Sequence, residues 1–109
     1  MRAFVRAALE EELGAEVIAV ASGLDGLAVL PRQELDAVLV DVNMPDLNGL
    51  EFVAFVRRGP HHAQTPILLM STEASQRDRE RGLALGANAF LEKPFTPETL
   101  VSAVRTLLG

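Results

Sequence analysis

At 109 residues the chain is long enough for one domain with one core and too short for two. A composition of 49% hydrophobic and 23% charged residues excludes a disordered chain, and a net charge of −5 argues against a nucleic-acid surface, which needs clustered Lys and Arg. With no cysteine there is neither a disulfide framework nor a thiolate metal site, and no apolar run approaches the roughly 20 residues needed to span a bilayer. Arg2 and Arg6 precede no signal-peptide core, because Glu10-Glu11-Glu12 interrupts it. The expectation is a soluble, cytoplasmic protein.

Residues 1–13 place Phe4, Val5, Ala8, Leu9 and Leu13 on one helical stripe, with Gly14 as the stop. Glu16-Val17-Ile18-Ala19-Val20 is a short β-type run. Ser22 followed three residues on by Asp25 is a capping signature for a second helix over residues 23–30, ended by Pro31. Residues 36–42 form an apolar strand covered on both faces, with Asp41 at its carboxyl end. In open α/β sheets that edge is where ligands and reactive groups gather. An isolated Asp there is most simply a turn cap.

Asn48 caps a third helix with Glu51 at the matching position, and Arg57-Arg58-Gly59-Pro60 closes it. Leu50, Phe52, Val53 and Val56 share a broad face, with Phe55 roughly opposite. The loop 60–65 holds His61-His62, a pair without a third ligand nearby, expected to be solvated rather than metal-bound. Pro66-Ile67-Leu68-Leu69-Met70 is a second buried strand, ending at Ser71-Thr72. Ser75 and Asp78 open a charge-rich helix that ends at Leu85-Gly86 and should be among the least tightly held elements. Ala87-Asn88-Ala89-Phe90-Leu91 is a last short strand, before Glu92-Lys93-Pro94-Phe95. Thr96-Pro97-Glu98 starts a final helix whose stripe is Leu100, Ala103, Val104 and Leu107.

This alternation predicts an α/β, doubly wound parallel sheet of four strands and five helices. In a parallel sheet the strand ends Asp41, Ser71-Thr72 and Lys93 fall along one edge. A carboxylate, a hydroxyl and an ammonium brought together are either an incidental polar rim or a minimal phosphoryl acceptor. In the second case the carboxylate attacks phosphorus while the hydroxyl and the cation hold its oxygens.

Asp41-Val42-Asn43-Met44-Pro45-Asp46-Leu47-Asn48-Gly49 resembles the phosphoacceptor loop of response regulator receiver domains, D-x-x-M-P-x-x-x-G. Ser71 matches that family's Ser/Thr switch position, and Ala87 to Phe90 followed by Lys93-Pro94-Phe95 resembles its closing motif. The run Met70-Ser71-Thr72-Glu73-Ala74 is most similar to stand-alone, CheY-like members. The resemblance implies a flavodoxin-like fold and a two-component signalling role, not an enzyme beyond its own phosphorylation and dephosphorylation. Asp41 would accept phosphate from a histidine kinase or phosphotransfer protein. The backbone carbonyl of Asn43 would help hold Mg2+, Ser71 and Lys93 would contact the phosphoryl group, and Phe90 would switch rotamer. Pro94 would follow a cis peptide bond. The output surface would be the fourth helix, last strand and last helix, with neither nucleic acid nor membrane as partner.

A complete receiver domain opens with a strand ending in two acids, and Met1-Arg2 aligns partway into the helix after it. Residues 1–109 therefore read as a receiver domain lacking its first strand, with an incomplete metal site of Asp41 and Asn43 and weak or absent Mg2+ binding and phosphorylation. The missing strand is the central one of the order 2-1-3-4-5. Its neighbours would either pair directly or leave a gap for a second chain, including another copy of this one. Two other readings compete. One is a phosphate-independent pseudo-receiver acting through protein contacts. The other is an Asp-nucleophile hydrolase, which would want a second acid at position 43, where the chain has Asn43.

Overall fold

The stripes and caps become five α-helices and three strands in the described residues, 2–44, 46–72 and 76–109 of the computed structural model. In chain order they are α1 (Arg2–Leu13), α2 (Gly23–Val29), a 3-10 turn (Leu30–Arg32), β1 (Val38–Asp41), α3 (Gly49–Arg58), β2 (Ile67–Ser71), α4 (Gln76–Leu85), β3 (Ala89–Glu92) and α5 (Pro97–Leu108). The caps sit where the sequence puts them. Ser22 Oγ accepts from the Asp25 N–H at 3.2 Å, Asn48 Oδ1 from Leu50 at 2.7 Å, and Thr96 Oγ1 from Thr99 at 3.1 Å. Gly14 ends α1 with φ +62°, a left-handed turn that a Cβ disfavours. Ser75, expected to open α4, lies outside the described residues.

β2 lies between β1 and β3, and both pairings are parallel. All five residues of β2 are buried, because both faces of the sheet are covered. Successive side chains alternate between the two covers. Leu68 and Met70 meet α1 and α5 through Ala8, Leu9, Leu100, Val101 and Val104. Ile67 and Leu69 meet α3 through Leu50, Phe52, Val53 and Val56. Each such fully buried side chain contributes roughly 1.5–3 kcal/mol of transfer free energy.

The sheet has three strands rather than the expected four. Residues 16–20 pair with nothing in the sheet, and β1 has a strand neighbour only on its β2 side among the described residues. A cavity of about 620 Å³ lies between residues 15–20 and β1, so the two backbones do not meet. β-type side chains favour an extended chain, but only a partner within hydrogen-bonding reach makes it a strand. Val17 still packs on the α1 and α5 side, while Ile18 stays 44% exposed.

Three smaller expectations also change. Pro31 does not follow a continuous helix but sits inside the 3-10 turn, near whose start a missing N–H costs nothing. Phe4 is 39% exposed and leans on Phe95, ring centroids 6.0 Å apart, instead of entering the core. His62 is not solvated. It is 5% exposed, with Nδ1 2.8 Å from Thr65 Oγ1 and Nε2 at 2.8 and 3.0 Å from the carbonyls of Leu30 and Gln33. Carbonyls only accept, so Nε2 carries the proton and clasps the end of the 3-10 turn.

Candidate functional site

The site is built by three strand ends. Parallel register sets Asp41 beside Met70 and Ser71 beside Glu92, so the carboxyl ends of β1, β2 and β3 reach one edge. The Lys93 N–H donates to the Ser71 carbonyl at 2.8 Å, which continues the β2–β3 ladder one step past β3. From there Lys93 Nζ forms an ion pair with Asp41 Oδ2. The ammonium side chain is only 10% exposed and the carboxylate side chain 25%, so the pair is sheltered yet reachable from solvent on the Asp41 side. The Lys93–Pro94 peptide is cis, as the resemblance implied.

Asp41 is held on its other oxygen as well, since Oδ1 accepts from the Asn43 N–H at 2.9 Å. This turn aims the carboxylate out of the sheet edge. Gly49 makes the turn compact: a Cβ there would lie 2.4 Å from the Asp41 carbonyl oxygen, so α3 starts closer to β1 than any side chain permits. The Gly49 N–H donates to the Val42 carbonyl at 2.9 Å. Ser71 is fully buried at the end of β2. Phe90 is half-buried in β3 against the α3 side of the core, with the Arg79 guanidinium of α4 5.5 Å from its ring centroid.

Asp46 belongs to the same loop, and its use is not legible from its neighbours in the sequence. Its two carboxylate oxygens accept from the N–H groups of Gly23 and Leu24, both at 3.0 Å, tying the loop after Asp41 to the start of α2. The hydrogen bond from Leu24 is the main cause that holds its carboxyl below the usual range. Arg57, a cation in the last turn of α3, does more than close the helix. It reaches the carbonyls of Gly86, His62, Ala63 and Thr65 and the Oδ1 of Asn88, which also accepts from the Ile67 N–H. Burial pushes the Arg57 guanidinium down from its ordinary pKa. No local pattern signals these contacts: the Asp46 partners lie 22 and 23 residues away, and those of Arg57 range from 5 residues along the chain, in the α3–β2 loop, to 31 at Asn88.

As donors for Mg2+, the edge offers one carboxylate, Asp41, and the carbonyl of Asn43. Both oxygens of that carboxylate already accept from Lys93 or the Asn43 N–H. Among the described residues no group of three or more His, Cys, Asp or Glu could hold a metal ion. Mg2+ demands near-octahedral oxygen coordination, and these residues do not fit it by themselves.

The response regulator receiver domain family matches residues 1–105. The chemotaxis response regulator CheY4 of Vibrio cholerae superposes with a TM-score of 0.91 at 39% identity, over 97% of this chain and 88% of that one. The receiver domain of a sensor histidine kinase from Pseudomonas aeruginosa, solved with a magnesium ion in its active-site cleft, superposes with a TM-score of 0.86 at 32% identity, over 96% of this chain and 85% of that one. A CheY homologue of Campylobacter jejuni is 34% identical over 86% of this chain and 73% of its own length. The chain spans about two fifths of the transcriptional regulators it also matches, among them PcoR of Escherichia coli at 37% identity over 80% of this chain and 38% of that one. With its helices on both faces of a parallel sheet and an acid and a lysine meeting at the carboxyl edge, the chain belongs to the response regulator receiver domain family.

Proposed function

We propose that Asp41 is the phosphoacceptor of a two-component signalling domain, supplied by a histidine kinase or phosphotransfer protein. The observation that carries this reading is the sheltered ion pair between Asp41 and Lys93, with the end of β2 at Ser71 beside it. One carboxylate oxygen of Asp41 attacks phosphorus, the bond from phosphorus to the donor's leaving group breaks, and an aspartyl phosphate forms. Lys93, already against the carboxylate, balances the charge of the phosphoryl oxygens, and the Ser71 hydroxyl donates to one of them. Phe90 and the face of α4, β3 and α5 carry the change to an output protein. We place the domain in the cytoplasm; no helix among the described residues is long and apolar enough to cross a membrane.

We further infer that residues 1–109 alone bind Mg2+ weakly and are phosphorylated slowly, because the described edge supplies one carboxylate where a hard octahedral cation wants more. A small phosphodonor such as acetyl phosphate, with and without Mg2+, tests both parts by intact mass. The expected result is slow labelling, little changed by Mg2+ and lost in Asp41→Asn. Label that survives Asp41→Asn overturns the assignment of the acceptor. Rapid Mg2+-dependent labelling, abolished by Asp41→Asn, overturns the weak-metal reading and leaves the acceptor standing.

That no group of three or more His, Cys, Asp or Glu among the described residues could hold a metal ion also favours an alternative, a phosphate-independent pseudo-receiver acting through protein contacts. No labelling at all, with output binding equal for the native chain and Asp41→Asn, would select it.

A further inference from the structure

The first turn of α2 is capped from two places. A helix leaves its leading N–H groups without partners of its own. Ser22 serves the later ones: its Oγ accepts from the Asp25 N–H at 3.2 Å, and its carbonyl from the Gly26 N–H at 3.0 Å. The N–H groups of Gly23 and Leu24 are taken by the two carboxylate oxygens of Asp46, each at 3.0 Å, from 23 and 22 residues along the chain. The acid stands where the helix dipole favours negative charge.

Two buried glycines let the partners approach. A Cβ on Gly23 would lie 2.8 Å from Leu47 Cβ and 3.1 Å from Met44 Cε, so the loop after Asp41 lies directly on the first turn of α2. A Cβ on Gly26, on the same face of the helix, would lie 3.0 Å from the Phe52 ring, so that face also rests on α3.

The same loop carries the group that aims Asp41. Asn43, before Asp46 in the loop, donates its N–H to Asp41 Oδ1 at 2.9 Å, and Gly49, after it, donates to the Val42 carbonyl at 2.9 Å. The loop is thus fastened to the end of β1 on either side and to α2 in between. Without the middle fastening, the Asn43 N–H would ride on a segment tied only at its ends, and the Asp41 carboxylate would lose the fixed direction that in-line attack needs. A carboxylate suits the place, because two N–H groups need two acceptors. Asn would offer one and set its NH2 against the second N–H.

We propose that Asp46 is a positioning residue for phosphoryl transfer: its clasp on α2 fixes the turn in which the Asn43 N–H aims Asp41. The reactivity of the acceptor then depends on a carboxylate outside the Asp41–Lys93 pair and on the docking of α2, a helix outside the sheet ladder. The inference rests on the reading of Asp41 as the phosphoacceptor.

The test compares the native 109-residue chain with Asp46→Asn, His62→Ala and Asp41→Asn. Labelling by acetyl phosphate is followed by intact mass, and amide exchange by NMR reports the Asn43 N–H. Asp46→Asn should slow labelling about three- to tenfold and lower the protection of the Asn43 amide by about the same factor, while β2 amides follow only the global change. His62→Ala loosens the other end of the α2 region without touching the Asp46 clasp, and should label within about twofold of the native rate. A native labelling rate in Asp46→Asn, or native protection of its Asn43 amide, overturns the proposal and leaves Asp41 standing as the acceptor. Equal slowing in His62→Ala overturns it in favour of a general loosening of the α2 margin. Label that survives Asp41→Asn, or no label in any chain, overturns the acceptor reading and this inference with it.

Discussion

β2 and β1 are neighbours with the same kind of sequence, yet they stand in different physical situations. β2 has a hydrogen-bonded strand on each side and a helix layer on each face, and none of its residues is exposed. β1 has the same layers but, among the described residues, one strand partner, with a cavity on its other side. Beyond that cavity, residues 15–20, α2 and the 3-10 turn have no place in the sheet ladder. Polar clasps at each end of the α2 region hold them, Asp46 at its start and His62 after its turn, with Phe52 packing between. Layered burial with ladder pairing resists local opening, while a few hydrogen bonds at a partly exposed margin do not. The chemistry sits on the border between the two regimes, at the open end of β1.

Breaking the tight side should cost most. Leu69→Ala removes a fully buried side chain between β2 and α3 and should destabilise the chain by ~2–5 kcal/mol, read from chemical unfolding midpoints. Arg57→Met leaves the carbonyls of the α3–β2 loop without their shared donor and should cost ~2–4 kcal/mol in the same assay. On the loose side, His62→Ala should cost ~1–3 kcal/mol. It should also raise exchange locally in α2 and the turn, while β2 amides follow only the global change.

The Asp46 clasp should show as a pH effect. Its folded pKa is depressed, so its stabilisation is present above the unfolded carboxyl value near 4 and fades as pH falls through the lower folded value. Protection of the Gly23 and Leu24 amides, relative to the intrinsic exchange rate at each pH, should therefore fall in acid, and Asp46→Asn should flatten that dependence. Phe55→Ser on the outer face of α3 should change stability by ~0.5 kcal/mol or less, since Phe55 is 47% exposed against Arg58.

Much of this was legible in the sequence, for local reasons. Caps such as Ser22, Asn48 and Thr96 act within three residues, and the stripes of α3 and α5 follow helical period, so both read directly. The meeting of Asp41 with Lys93 was legible because parallel strands must end together. Residues 16–20 looked like a strand because side-chain type reports extension but not the presence of a partner. His62 as a buried clasp, and the long-range contacts of Asp46 and Arg57, are not legible for another reason. Each makes contacts with backbone groups more than 20 residues away, and a backbone carbonyl or amide leaves no mark in a sequence. Such contacts appear only once the chain is folded.

The most direct test of the difference between the two strands is amide exchange along β1 of the isolated chain. Val40 and Val42, facing β2, should be protected close to the global unfolding limit, while Leu39, facing the cavity, should exchange at least a hundredfold faster. Equal protection of Leu39 and Val40 would show that the open edge is paired in solution and contradict the account.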